Sequence, residues 1–216
     1  MSDTIETIEI IQGTPEWKQL RLGKVTASRV KDVMARIKTG EAAVRRNYRA
    51  QLVAERLSGQ PDDGFSNAAM QRGTEQEPFA RAAYEMLTGN LVEQVAFIDH
   101  PEIEMAGASP DGLIGSDGLV EIKNPNTSTH IGYALDGRPP AEYRDQMLWQ
   151  MECCGRDWCD FVSFDSRMPE DMQLFVVRYE RDQARIDLIK EEVQNFLYEV
   201  EAEVQKLIDA FKRKAA

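Results

Sequence analysis

The run Leu119-Val120-Glu121-Ile122-Lys123 constrains this chain more than any other stretch. Its apolar and β-branched residues read as a buried strand, yet it carries a carboxylate and an ammonium, groups that are not taken out of water without partners. Upstream, Ala108-Ser109-Pro110-Asp111-Gly112 leads into a preceding strand, and Gly115-Ser116-Asp117-Gly118 supplies turn chemistry, so the segment is expected to form a hairpin. Centred on Ser116-Asp117, that hairpin brings Asp111 roughly opposite Ile122 and beside Glu121. Side chains alternate along a strand, so Glu121 and Lys123 share one face while Ile122 points to the other.

Two carboxylates and an ammonium at one point suit phosphodiester hydrolysis. Mg²⁺ is a hard cation that keeps several waters and needs one or two carboxylates. Asp111 and Glu121, completed by the Ile122 carbonyl oxygen, therefore form a candidate Mg²⁺ site, with Mn²⁺ as a substitute. Such an ion polarises the phosphate and activates a bound water, and a second ion steadies the leaving oxygen. Three roles are open to Lys123: orienting the attacking water, deprotonating it, or balancing charge on the phosphorane. The competing reading is an exposed hairpin with a Glu121–Lys123 pair on its wet face.

Upstream, Thr14-Pro15-Glu16 is a helix start that Gly23 stops, with Arg21 in the last turn. Thr26-Ala27-Ser28 opens a second helix, with Val30, Val33, Met34 and Ile37 on one face. Helix starts present N–H groups to anions, so Ser28 and Arg21 are candidates for holding a phosphate; the alternative is a plain cap and a helix-end charge. Ser109, two residues before Asp111, shares its strand face if the strand is regular there, and would bring the phosphate close to the metal. A third helix over 41–57 turns Arg45, Arg46 and Arg49 outward and Leu52, Val53 and Leu57 inward. After a loop to residue 65, a fourth helix over 67–87 carries Glu77 and meets Pro78, where a kink or fresh start is expected.

Strands at 91–98 and 105–108 lead into the hairpin, and 125–140 reads as a substrate-facing loop. A helix over 141–155 places Gln146 beside a stripe of Tyr143, Met147, Gln150 and Met151, where its amide needs a partner such as an active-site water or phosphate. Strands at 158–164 and 173–179 extend the sheet, and 182–214 is one long helix. The fold class is α/β, a mixed central sheet flanked by helices, in a single domain over 1–216 with residues 1–13 as an edge strand or arm.

Charge is unevenly spread. The net charge is −11, but residues 14–60 carry 11 Lys/Arg against 4 Asp/Glu. A basic segment on an acidic body directs a polyanion to one surface. No apolar run is long enough for a membrane span and the N-terminus is acidic, so the expected location is the cytoplasm with no membrane partner. Cys153, Cys154 and Cys159 form an odd set, read as reduced thiols.

Ser109-Pro110-Asp111 followed by Glu121-Ile122-Lys123 resembles the PD-(D/E)XK signature of restriction-endonuclease-like folds. Together with Leu20-Arg21-Leu22-Gly23, Thr26-Ala27-Ser28, the Gly73-to-Glu77 spacing and Tyr143-x-x-Gln146, it resembles the phage-lambda-type alkaline exonuclease family, in family order from about Trp17 to Tyr179. The resemblance implies a 5′→3′ exonuclease on double-stranded DNA ends that leaves 3′ single strands for recombination. It also implies a homotrimer ring and a single-strand annealing protein as partner. It makes Glu77 an acid that places the second metal or its water, Gln146 an accessory residue of the active site, and the Arg21–Ser28 region a seat for the 5′-terminal phosphate. Pro78 and Thr129 depart from the family pattern. The other readings are a restriction- or repair-type endonuclease and a catalytically silent DNA-end clamp.

Overall fold

The computed structural model describes residues 10–62 and 68–215, the latter without the side chains of 68–70 and 214–215. The expected arm falls mostly on residues 1–9, outside the described residues. In chain order the elements are α1 (Pro15–Leu20), β1 (Val25–Thr26), α2 (Val30–Val33), α3 (Ala43–Ser58), α4 (Ala68–Thr88), β2 (Ile98–Asp99), β3 (Ala106–Ala108), β4 (Gly112–Ile114), β5 (Gly118–Lys123), α5 (Thr127–Asp136), α6 (Arg144–Cys154), β6 (Trp158–Phe164), β7 (Leu174–Glu180) and α7 (Gln183–Ala215).

The larger sheet runs β4-β5-β6-β7. β5 and β6 are parallel, and the outer pairs are antiparallel. A parallel pair needs a crossover, and here α5 and α6 provide it. Alternation along β5 divides the core in two. Leu119 packs with Phe161 and the buried α6 residues Met147, Leu148 and Trp149 on one side, while Val120 and Ile122 meet Ala80 and Tyr84 of α4 on the other. Helix α7 covers the α6 side with Ile186, Ile189, Val193, Phe196, Val200 and Val204, spaced as one helical stripe. The Tyr84 hydroxyl donates to buried Asp160 at 2.8 Å, fixing α4 on the sheet. A smaller sheet, β1-β3-β2, carries the chain into the site.

Several expectations are corrected. The hairpin turn has three residues, Gly115 to Asp117, with Gly115 at φ 53°, so Leu113 faces Leu119. The register is one residue from that expected, and its continuation sets Asp111 against Glu121 instead of Ile122. Residues 125–140 are not a plain loop: Asn126 caps α5 by accepting from the Thr129 N–H at 2.9 Å, and buried His130 pins that helix through Ser163 Oγ (2.8 Å) and the Met172 carbonyl (2.9 Å). Over 91–98 only a single bridge, Glu93 to Leu113, precedes β2. Helix α4 runs through Pro78 without restarting. The second helix is a short 3₁₀ turn plus α2, and Ile37 is exposed.

Arg45 and Arg49 do not face solvent. They are drawn under α7, where Arg45 meets Glu41 (2.7 Å) and Glu199 (2.7 and 2.8 Å), and Arg49 meets Glu41, Glu199 (3.0 Å) and Glu203 (2.8 Å). Much of the basic charge of α3 is thus spent on holding two helices together. Leu57, expected inside, is exposed.

Candidate active site

Three pieces of chain meet at the C-terminal half of β5. The segment Ser109 to Asp111 arrives from β3, β5 brings Glu121 and Lys123, and α6 lies across them with Gln146 and Gln150. These residues line one cavity of about 180 Å³ with Gln12, Trp17, Arg21, Thr26, Ala27 and Ser28. Asp111, Glu121, Lys123, Gln146, Arg21, Ser28 and Ser109, singled out from sequence, are therefore brought to one place.

Glu121 is buried, and both of its carboxylate oxygens are held. Its Oε1 accepts from Gln146 Nε2 at 2.5 Å and pairs with the Lys123 ammonium, and its Oε2 accepts from Gln150 Nε2 at 2.7 Å. Asp111 Oδ2 accepts from the Ile122 N–H at 2.6 Å, a backbone contact that ties the residue to β5 despite its position outside β4. Desolvation, then the nearby Glu121 carboxylate, push the Asp111 carboxyl well above the usual range, against the pull of Lys123 and the Ile122 N–H. Burial alone would lower Lys123, but Glu121 and Asp111 outweigh it and hold the ammonium above the ordinary lysine value. Desolvation also raises Glu77, offset in part by Arg81, which lies 3.6 Å away, and by Lys123. Glu77 is thus within electrostatic reach of the cluster but does not line its cavity.

The adjoining wall of the cavity is built on α1. Thr14 caps that helix by accepting from the Trp17 N–H at 3.3 Å, with Pro15 at its first position. This fixes Trp17, whose indole N–H is shared between the Ala96 carbonyl (2.9 Å) and Ser109 Oγ (3.0 Å). Because Ser109 Oγ accepts there, its own proton is available to a ligand. One helical turn on, the Arg21 guanidinium stacks on the Trp17 ring at 3.9 Å and reaches the Thr26 hydroxyl at 3.4 Å. Desolvation lowers its pKa, with Tyr48 and Glu55 opposing, and its contacts among the described residues include no carboxylate ion pair. A cation drawn inward without a carboxylate in direct contact among the described residues is suited to a phosphate.

Sequence reasoning missed Gln150, Trp17 and Gln12 as site residues. Gln150 and Trp17 each had a legible signal: both lie four residues from a chosen residue on the same helix. Gln12, whose Nε2 donates to the carbonyls of Val95 and Pro110 at 2.8 Å each, had none. Thr129 is partly buried at the start of α5.

The donor set can be tested against a metal. Among the described residues no three His, Cys, Asp or Glu side chains form a metal cage. Two electrostatically coupled carboxylates lining one cavity, however, match an ion that retains much of its water, and the raised Asp111 carboxyl is a group that a cation would relieve. The residues fit Mg²⁺ or Mn²⁺ better than an ion that demands a full protein cage.

Residues 16–157 match the family model described as a YqaJ-like viral recombinase domain. The chain belongs to the YqaJ-like viral recombinase family. Among solved structures similar to this member, LHK-Exo in complex with dAMP is 56% identical over 94% of this chain and 98% of its own, with a TM-score of 0.85. The alkaline exonuclease LHK-Exo from Laribacter hongkongensis is 55% identical over the same shares, with a TM-score of 0.84. A phage-related exonuclease from Haemophilus somnus 129PT is 19% identical over 85% of this chain and 96% of its own; its TM-score of 0.70 extends the likeness in fold. No curated protein is matched. The fold of this YqaJ-like viral recombinase is the restriction-endonuclease-like one, a mixed sheet flanked by helices.

Proposed function

We propose that the chain is a Mg²⁺-dependent 5′→3′ exonuclease that degrades one strand of linear double-stranded DNA and leaves 3′ single strands for recombination. The observation that carries this reading is the single cavity shared by Asp111, Glu121 and Lys123 on one side and Arg21, Ser28 and Ser109 on the other. A hydrolytic centre beside an anion seat is what an end-directed nuclease requires. Support also comes from a relative described in complex with dAMP, a deoxynucleoside monophosphate such as this hydrolysis releases.

In this reading Asp111, Glu121 and the Ile122 carbonyl hold the cation, and Glu77 places a second ion or its water. When bound, the ion polarises the scissile phosphate and makes its water more acidic. Arg21 forks onto the terminal 5′-phosphate while Ser28 and Ser109 donate hydroxyl hydrogens to it, which fixes how far the strand enters. Gln146 holds Glu121 from α6. Lys123, kept charged by its two carboxylate neighbours, donates to the attacking water or the phosphate oxygens and balances charge as the phosphorane forms. A homotrimer ring around the duplex and a single-strand annealing protein as partner complete the proposal. Among the described residues no helix is long and apolar enough to cross a membrane.

The test is incubation with Mg²⁺ and either linear or closed circular duplex. Mononucleotide release from linear DNA alone is expected. Nicking or linearisation of the circle would replace the exonuclease reading by an endonuclease one, and binding of ends without hydrolysis would make the chain an end clamp.

A further inference from the structure

Gln150 has no part in the steps above, yet it is wholly buried against the carboxylate on which they depend. Its Nε2 donates to Glu121 Oε2 at 2.7 Å, while its Oε1, also buried, has no hydrogen-bond partner among the described residues. Buried amide oxygens without a donor are uncommon and costly. Gln150 lines the same cavity of about 180 Å³ as Asp111 and Glu121, so there is room for the missing donor to be water. An apolar side chain in its place would avoid the unpaired Gln150 oxygen but would leave buried Glu121 Oε2 without its donor.

The carboxylate's own accounting points the same way. Each Glu121 oxygen accepts two hydrogen bonds. Among the described residues Oε1 receives Gln146 and Lys123, whereas Oε2 receives Gln150 alone. Oε2 therefore keeps a lone pair for a further ligand. Gln146 and Gln150 lie one turn apart on α6 and hold opposite oxygens, so the carboxylate cannot rotate about its terminal bond. With Gln150 removed, only the crowded oxygen stays fixed and the one with spare capacity is loose.

We propose that Gln150 is a positioning residue for the divalent cation: its amide N–H fixes Glu121 Oε2, and its unpartnered Oε1 accepts a hydrogen from a water that hydrates the cation. This rests on the reading of Asp111 and Glu121 as metal ligands. Mg²⁺ and ions like it keep several waters, and an amide oxygen accepts from such a water without competing for its proton.

The experiment measures Mn²⁺ binding to the full chain, stripped with EDTA, by calorimetry in wild type, Asp111→Asn and Gln150→Met. Methionine keeps the length of the side chain and removes both polar ends. Gln150→Met is expected to weaken Mn²⁺ by about 10- to 100-fold, the usual cost of losing a group that orients a ligand. Because buried Glu121 Oε2 loses its donor, the metal-free melting temperature should fall by about 2–10 °C, with the chain still folded at the temperature of the binding assay. At saturating Mn²⁺, kcat should fall while KM for DNA stays put, a split that a general loss of structure does not produce. Mn²⁺ affinity within about two-fold of wild type overturns the inference, since that lies below the range for such groups. If Gln150→Met does not fold, Gln150→Leu carries the same comparison. A wild type that fails to bind Mn²⁺, or an Asp111→Asn variant that binds as tightly, removes the metal reading and this inference with it. Unchanged binding in the Gln150 variant, beside a wild type that binds and an Asp111→Asn variant that does not, removes Gln150 alone.

Discussion

Replacing Arg21 by alanine separates an end-directed nuclease from other enzymes of this fold. In the folded chain the guanidinium is held flat on Trp17 and near the Thr26 hydroxyl, so little side-chain freedom is lost when a phosphate arrives. A charge-assisted hydrogen bond of this kind contributes about 1.5–3 kcal/mol. Realised in the transition state, that is about 10- to 100-fold in rate. The assay is degradation of one linear duplex carrying either a 5′-phosphate or a 5′-hydroxyl, at fixed salt because any lost arginine weakens DNA binding generally. Wild type should prefer the phosphorylated end by about this factor, and Arg21→Ala should erase most of the preference by slowing the phosphorylated substrate much more than the other. Equal treatment of both ends by wild type, or equal slowing of both by the variant, refutes the seat and leaves Arg21 as a helix-end charge.

Other substitutions probe the same architecture. Trp17→Phe keeps a ring beneath Arg21 but removes the N–H shared by Ala96 and Ser109; the 5′-phosphate preference should shrink, without vanishing, in the same two-substrate assay. Phe196→Ala opens the α7 stripe beside Tyr48, whose ring lies 5.5 Å away, and should cost about 3–5 kcal/mol in denaturant unfolding. The hydrogen bond from Arg49, against burial, holds the Glu41 carboxyl below its usual range. A folded-state value below the unfolded one stabilises fully above the unfolded pKa and is lost as pH falls through the folded pKa. Glu41→Gln should therefore flatten the acid side of the stability–pH curve and leave Arg45 and Arg49 relying on Glu199 and Glu203.

Which polar residues share the cavity was more legible in the sequence than the register and helices that bring them together. Glu121 and Lys123 announce themselves because charge inside an apolar strand demands partners, and Thr14-Pro15 marks α1 by capping alone. The hairpin register was not legible: Gly115 adopts a positive φ and makes the turn one residue longer than the Ser116-Asp117 pair suggested. Helix α5 was hidden because Asn126, Thr127, Ser128 and Gly132 have loop propensity, and what holds the helix is tertiary, the burial of His130 between Ser163 and Met172. The basic run in α3 misled for a related reason. Two of its counter-charges, Glu199 and Glu203, lie about 150 residues away on α7, and no local pattern reveals that pairing. Gln150 looked like core because burial and function coincide there.

The measurement that bears most directly on hydrolysis at Asp111 and Glu121 is mononucleotide release from 5′-phosphorylated linear duplex by wild type and Asp111→Asn, each with Mg²⁺ and with EDTA. The substitution keeps the side chain's shape and removes its charge, so the variant should fold and bind DNA ends. Wild type should release nucleotides only with Mg²⁺, and Asp111→Asn should release none under either condition. Undiminished release by Asp111→Asn, or by wild type in EDTA, contradicts the assignment of this cavity as a metal-dependent hydrolytic centre.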